Sequence, residues 1–253
     1  MVIRFLHHSC FLVELDDRVL LFDYFDGNRI EGYHFTGVLP EYEPGTRFYI
    51  FASHSHRDHY DMDVLRLKER YQVHYIFAKD IRVSPNFLKK HGIDPEVRKQ
   101  ITFVTAGEHR FLDDMDITTY RSTDQGVAYL VRYHGVTLFH AGDLNDWQYE
   151  GAGELVNGIM RSNFRSQIRK LSKEQLHVAF FPLDPRLKEH AADGFRYFLE
   201  HVSCDLVFPM HQWRDYSGTR ELKKCITNQH MCDKIMEISQ ENQEFFINVQ
   251  ELA

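Results

Sequence analysis

The stretch Phe48-Tyr49-Ile50-Phe51-Ala52-Ser53-His54-Ser55-His56-Arg57-Asp58-His59 decides the reading of this chain. Its first half is an aromatic and β-branched run, the composition of a buried strand. Its second half places three imidazoles and one carboxylate, His54, His56, Asp58 and His59, within six positions. A regular strand or helix does not converge four such side chains on one point, whereas a loop leaving a strand end does. Neutral imidazole and carboxylate oxygen both suit zinc and other first-row divalent metals. At this chain's own His and Asp content, H-x-H-x-D-H arises by accident with a chance of roughly one in two hundred, which favours a metal-binding loop over a merely polar one.

Two distant segments then gain meaning. Thr137-Leu138-Phe139-His140-Ala141-Gly142-Asp143 is a strand that ends in a small residue, Gly and then a projecting carboxylate. Leu206-Val207-Phe208-Pro209-Met210-His211 is an apolar strand that ends in His. Each alone reads as structural; with the 54–59 loop they supply the separate elements a convergent metal site draws on.

Strand patterns recur over 2–6, 11–14, 19–23, 47–52, 73–78, 115–120, 127–132, 136–140, 177–181, 205–209 and 244–249, and 132–135 reads as a hairpin turn. Ser84-Pro85 running to Gly92 predicts a capped helix. Leu155, Ile159, Met160, Phe164, Ile168 and Leu171 form one helical apolar stripe beside Arg161, Arg165 and Arg169, which read as a solvated face. Residues 191–202 and 221–238 are further helix candidates. Strands in meanders followed by interleaved helices suit two sheets packed face to face with helices outside. Residues 27–45 resist assignment and read as a long surface loop whose Tyr33, His34 and Phe35 are candidates for a lid.

Composition narrows the class. The chain has 253 residues, 43% of them hydrophobic, and a net charge of −7 from 30 basic and 37 acidic side chains. That balance is globular and argues against a general nucleic-acid binder. No apolar run approaches the ~18 residues of a membrane span, and the N-terminus reads as no secretory signal. Cys10, Cys204, Cys225 and Cys232 form no CxxC pair, which suits reduced thiols and a cytoplasmic setting. A small-molecule substrate is therefore expected, with no nucleic acid and no membrane; a homo-oligomer is compatible with the sequence, which sets no oligomeric state.

The set H-x-H-x-D-H, Gly142-Asp143 at a strand end and Pro209-Met210-His211 resembles the metallo-β-lactamase superfamily. Leu6-His7-His8-Ser9, Leu20-Leu21-Phe22-Asp23, and the runs 122–131 and 140–146 resemble its ascorbate-phosphate-lactonase-like branch, in an uncharacterised bacterial subgroup. The resemblance spans roughly residues 2–249. It implies a single α+β domain over 1–253, a four-layer αββα sandwich of two packed mixed sheets with helices outside. It also implies one or two divalent ions, zinc first, with manganese or iron as alternatives. His54 and His56 would bind the first ion and Asp58 and His59 the second; Asp143 would bridge, and His211 would complete the second site. Asp23 would support a ligand histidine from behind. The superfamily's further histidine is missing: residues 118–125 contain none. Asp124 is the best local replacement, with Ser122 behind it, and reads equally well as a turn residue; His109 and His140 are poorly placed.

The implied activity is metal-dependent hydrolysis of a small-molecule ester, lactone or phosphorylated substrate. Asp58 would also orient water, and His8 is a candidate proton donor, although His7 and His8 read more simply as strand-edge histidines. Asp143 at the bridging position resembles lactonases and phosphodiesterases more than β-lactam-cleaving members, which usually carry Cys there. Phosphodiester cleavage and a non-catalytic metal-binding role are the alternatives. Redox chemistry at an iron pair is disfavoured, because those relatives usually carry Glu where His56 stands and add a flavin domain. Asp184 and Arg186 in a Pro-bounded turn, and Trp147 and Trp213 just after the ligand candidates, are weaker candidates for a pocket rim.

Overall fold

The computed structural model describes residues 1–252. Its backbone divides into two compact units, residues 1–105 with 241–248, and residues 106–240 with the chain from Val249 onward.

The first unit is built on a seven-stranded mixed sheet. Its strands are β1 (Val2–His7), β2 (Cys10–Glu14), β3 (Val19–Phe22), β4 (Arg47–Ala52), β5 (Gln72–Ala78), β6 (Ile101–Val104) and, late in the chain, β13 (Gln243–Phe246). The order is β13-β1-β2-β3-β4-β5-β6. Pairing is antiparallel from β13 to β3 and parallel from β3 to β6. β4 is buried at every position after Arg47, as a central parallel strand covered on both faces must be. Leu21, Ile50, Tyr75 and Phe77 stand in its core with Leu88 from helix α1 (Pro85–Lys90). That helix starts and stops as its sequence predicts. Ser84 Oγ accepts from the Phe87 amide at 3.2 Å, Pro85 opens the first turn, and Gly92 takes a left-handed φ of +68° just past the end.

Residues 27–45 contain no helix or strand, as expected. The loop is nevertheless packed: a Cβ on Gly27 would stand 2.2 Å from the Phe35 carbonyl oxygen, and one on Gly37 2.4 Å from that of Leu6. Phe35 is buried rather than poised as a lid, with its ring 5.6 Å from that of His8.

The second unit carries six strands, β7 (His109–Leu112), β8 (Met115–Arg121), β9 (Val127–Tyr133), β10 (Val136–His140), β11 (Gln175–Pro182) and β12 (Ser203–Met210). They are ordered β12-β11-β10-β9-β8-β7. β7 to β10 pair antiparallel and β10 to β12 parallel. β9 and β10 are joined by the two-residue turn His134-Gly135, both at positive φ, the hairpin that the sequence predicts. Helices α2 (Glu154–Leu171), α3 (Asp193–His201), α4 (Ser217–Cys225) and α5 (Gln229–Asp233) complete it.

Three helix expectations are corrected. The α2 stripe buries Phe164, Ile168 and Leu171, but Leu155 and Ile159 are exposed. Arg161 does not lie on a purely solvated face: its Nε donates to buried Asp146 Oδ2 at 3.1 Å. The helix expected over 221–238 is two short ones, because Asn228 caps a new start with its side chain and Met236 N then bonds Val207 O beside β12. No described helix is long and apolar enough to cross a membrane.

The two mixed sheets with their helices give the expected α+β architecture. In each sheet, pairing switches from antiparallel to parallel at one strand, β3 in the first and β10 in the second. Asp23, His54, Asp143, Asp184 and His211 stand just beyond the carboxyl ends of β3, β4, β10, β11 and β12.

Candidate metal centre

In the first unit, β3 ends in Asp23 and β4 in Ser53-His54. The Asp23 amide donates to the Phe51 carbonyl at 2.9 Å, and Asp23 then turns with a left-handed φ of 48°. Its buried carboxylate accepts three hydrogen bonds, from Ser53 N (2.7 Å), Ser53 Oγ (2.7 Å) and His59 Nδ1 (2.7 Å). Because Ser53 Oγ spends its proton on Asp23, it accepts from His54 Nδ1 at 2.9 Å. One carboxylate thereby sets both imidazoles in the Nδ1–H tautomer and turns each Nε2 lone pair the other way, the arrangement seen behind metal-ligating histidines. Asp23 stands directly behind His59 and, through Ser53, behind His54.

His54 Nε2 faces His56 Nδ1 at 2.9 Å. A turn closes the loop, with the amides of His59 and Tyr60 donating to the His56 carbonyl. It brings His59 Nε2 to 3.9 Å from Asp58 Oδ2. His8, in the β1–β2 turn with φ 50°, is buried and brings its Nε2 to 3.3 Å from the same oxygen. His8 therefore belongs with the loop residues and is no strand-edge histidine. His7 is the structural one: its Nε2 bonds the Phe25 carbonyl at 3.1 Å, and burial pushes its imidazole down to about 4.

In the second unit, the turn after β10 runs through Gly142 at φ 51° to Asp143, while β12 ends at His211, φ 63°. His211 Nε2 stands 3.4 Å from Asp143 Oδ1, and its Nδ1 donates to Asp184 Oδ2 at 2.9 Å. Asp184 leaves the end of β11 fully buried and is the residue whose role the sequence conceals. Burial alone would raise its carboxyl; hydrogen bonds from His211 and from Arg186 outweigh that and hold it well below the usual carboxylate range. Trp147 Nε1 donates to the Asp143 carbonyl at 2.8 Å, and its ring meets the His211 ring at 5.5 Å. The Trp213 ring meets the same imidazole at 5.6 Å. Thr123 Oγ1 bonds the Asn145 backbone twice, at 2.6 and 2.9 Å, and so ties the loop that carries Asp124 to the loop that carries Asp143. Ser122 Oγ accepts from the Asp124 amide at 3.1 Å, which makes Ser122 the brace of that turn. The other two alternatives stay apart: His109 is exposed on β7 and paired to Asp116, and His140 Nδ1 accepts from the Gly142 amide.

The spacings within each unit fit a metal. Two ligands on bonds of ~2.0–2.1 Å stand about 2.9 Å apart at a right angle and about 3.3–3.4 Å apart at the tetrahedral angle. The pairs His54–His56, His8–Asp58 and His211–Asp143, at 2.9, 3.3 and 3.4 Å, lie on those values.

Comparison with known proteins bears on the fold and the family. Residues 2–151 match the model of the β-lactamase superfamily domain. No curated protein sequence matches the chain. Among solved structures, Igni18, a metallo hydrolase from the archaeon Ignicoccus hospitalis, is similar with a TM-score of 0.60 at 14% identity, over 98% of this chain and 100% of that one. The isothiocyanate hydrolase from Delia radicum gut bacteria gives 0.56 at 13%, over 98% and 99%. CmlA, a diiron β-hydroxylase from Streptomyces venezuelae, gives 0.63 at 10%, over 97% of this chain and 54% of that one. At these identities the likeness is one of fold, and it agrees with the α+β sandwich that the sequence implies. Its matching domain model and its fold make this chain a member of the metallo-β-lactamase superfamily.

Proposed function

We propose that the chain is a hydrolase that cleaves a small-molecule ester, lactone or phosphorylated compound with water activated at a divalent metal centre. His54, His56, Asp124 and Asp143 would hold one ion, and His8, Asp58, His59 and His211 the other. Asp124 then fills the place of the histidine that the superfamily usually supplies. Zinc is the first expectation, since imidazole and carboxylate donors at these spacings suit it.

The observation that carries the reading is the fixed orientation of the imidazoles. His59 and His211 each donate Nδ1–H to a buried carboxylate, Asp23 or Asp184, and each turns Nε2 toward a second carboxylate, Asp58 or Asp143. An ion held there supplies Lewis acidity, which makes hydroxide accessible near neutral pH and stabilises negative charge developing on the attacked group. The chain's own residues do the rest. Asp58 accepts a proton from the attacking water and orients it. His8 Nε2, beside Asp58, takes one role at a time: it would ligate while unprotonated or, off the ion and protonated, donate toward a leaving group.

The test is metal analysis of the purified chain together with a panel of ester, lactone and phosphodiester substrates. Stoichiometric divalent metal and hydrolysis that disappears in His56→Ala are expected. Undiminished turnover by metal-free protein refutes the reading, and metal binding without turnover on any substrate favours a non-catalytic role.

A further inference from the structure

We infer that the second unit carries a subsite for an anionic group of the substrate, a carboxylate or a phosphate, read by Arg161 and Arg186. What is then cut rests on the hydrolase reading above; the binding itself does not.

A cleft of about 940 Å3 lies between the start of α2, residues 148–153 and residues 186–190, at the upper end of the range for small-molecule pockets. Two guanidinium groups line it, and both are held in the same way. Arg161 is 40% exposed and rests its Nε on Asp146 Oδ2 at 3.1 Å, with Asp146 5% exposed. Arg186 is 46% exposed and rests its Nε and Nη2 on Asp184 Oδ2 at 3.0 and 2.6 Å, with Asp184 fully buried. Arg186 also lies 4.2 Å over the Trp213 ring, a contact that further fixes the guanidinium plane. A buried carboxylate behind each guanidinium holds a rigid fork at the cleft surface. That is the form of arginine that binds planar oxyanions without first losing side-chain freedom. The cleft's own carboxylates are Glu150, Glu154 and Glu189. Glu150 is ion-paired with Lys188, and Glu150 and Glu189 are both more than 80% exposed, where water screens their charge.

The cleft adjoins the metal-ligand candidates of the same unit by two routes. Tyr149, one of its walls, stacks on Trp147, whose ring edges His211. Asp184 holds Arg186 with the same oxygen that holds His211. One layer of side chains thus separates Arg186 from His211. The substrate that suits both places is a compact ester or lactone whose anionic group lies a few bonds from the scissile one.

The two tryptophans of the chain are Trp147 and Trp213, so emission excited to the red of tyrosine absorption reports on this region. The experiment titrates the metal-free full chain with monomethyl glutarate, with glycerol 2-phosphate and with the neutral dimethyl glutarate, followed by emission and by calorimetry. A saturable signal is expected with at least one anion, with dimethyl glutarate about tenfold weaker or more, and Arg161→Gln lowering the anion affinity by about tenfold. The preferred anion identifies the group. If Arg161→Gln does not fold because Asp146 loses its partner, Arg161→Gln with Asp146→Asn removes both charges and gives the same measurement. Equal binding of the neutral ester, unchanged anion affinity in the folded variant, or neither heat nor emission change with any anion overturns the inference. Anion binding in a chain that hydrolyses nothing leaves the subsite standing and refutes the hydrolase; hydrolysis indifferent to substrate charge does the reverse.

Discussion

Replacing Asp184 with Asn tests the support behind His211 with almost no change in volume. Asp184 Oδ2 accepts from His211 Nδ1, from Nε and Nη2 of Arg186 and, at 3.3 Å, from Trp213 Nε1, while Oδ1 accepts from the Arg186 amide at 2.8 Å. An amide has one acceptor oxygen. With its NH2 at the Oδ2 position, Asn meets His211 and Arg186 donor to donor; flipped, it loses the bond that starts the 185–190 turn. Neither orientation replaces the carboxylate. His211 is then no longer fixed as the Nδ1–H tautomer, and loss of such a partner weakens metal binding about 10- to 100-fold, or ~1.4–2.8 kcal/mol. The metal-free protein also loses a charge pair. Because Arg186 is 46% exposed, water takes up much of that loss, and a stability cost of about 1–2 kcal/mol is expected rather than the 3–5 of a fully buried pair. Competition against a chromophoric chelator reads the first quantity, and thermal melts in excess chelator read the second. Wild-type metal affinity in a folded Asp184→Asn variant would show that His211 is held by packing alone, and the account of this carboxylate would fail.

Three further outcomes follow from local geometry. His7 is neutral in the fold down to about pH 4, while in the unfolded chain it takes a proton below pH ~6.5, so unfolding is favoured as pH falls from 6.5 to 4 and about 3 kcal/mol is lost across that window. Chemical denaturation in chelator should show that slope and show it flattened in His7→Gln. Gly37→Ala would press a methyl against the Leu6 carbonyl and His7 Nδ1 at 2.4 and 2.3 Å and should cost about 1–3 kcal/mol. Gly158→Ala, in open space inside α2, should instead gain about 0.5–1 kcal/mol, and melting curves separate the two. Asp124→Ala should lower metal content with little effect on Tm, because the Asp124 side chain is exposed while the turn is braced by Ser122 and Thr123.

The sequence displays the residues that break a pattern. His54, Asp143 and His211 are polar side chains just past the ends of apolar strands, each of which has a parallel neighbour. Ser84, Pro85 and Gly92 mark their helix because capping is local chemistry. What stays hidden depends on partners far along the chain. Asp184 sits between two prolines and reads as a turn residue, which it also is; only the pairing of β11 with β12 sets it beside His211. A strand that ends in a buried carboxylate one parallel strand away from a ligand strand was the available signal. The apolar spacing of α2 records which residues share a face, not how far the neighbouring layer reaches, so Leu155 and Ile159 are misread as core. Strands β6 and β7, four residues each at sheet edges, are too short to show alternation.

His8, Asp23 and His211 all stand at corners where the chain coils against its natural hand, a posture that burdens any side-chain-bearing residue by roughly 1–2 kcal/mol and glycine hardly at all. Glycine would relieve that posture, yet it would strip Ser53 and His59 of the Asp23 carboxylate and Asp184 of the His211 ring, so backbone strain and hydrogen bonding pull a thermal screen in opposite directions there. Engineering this scaffold for durability means leaving those three corners untouched and seeking the gain elsewhere.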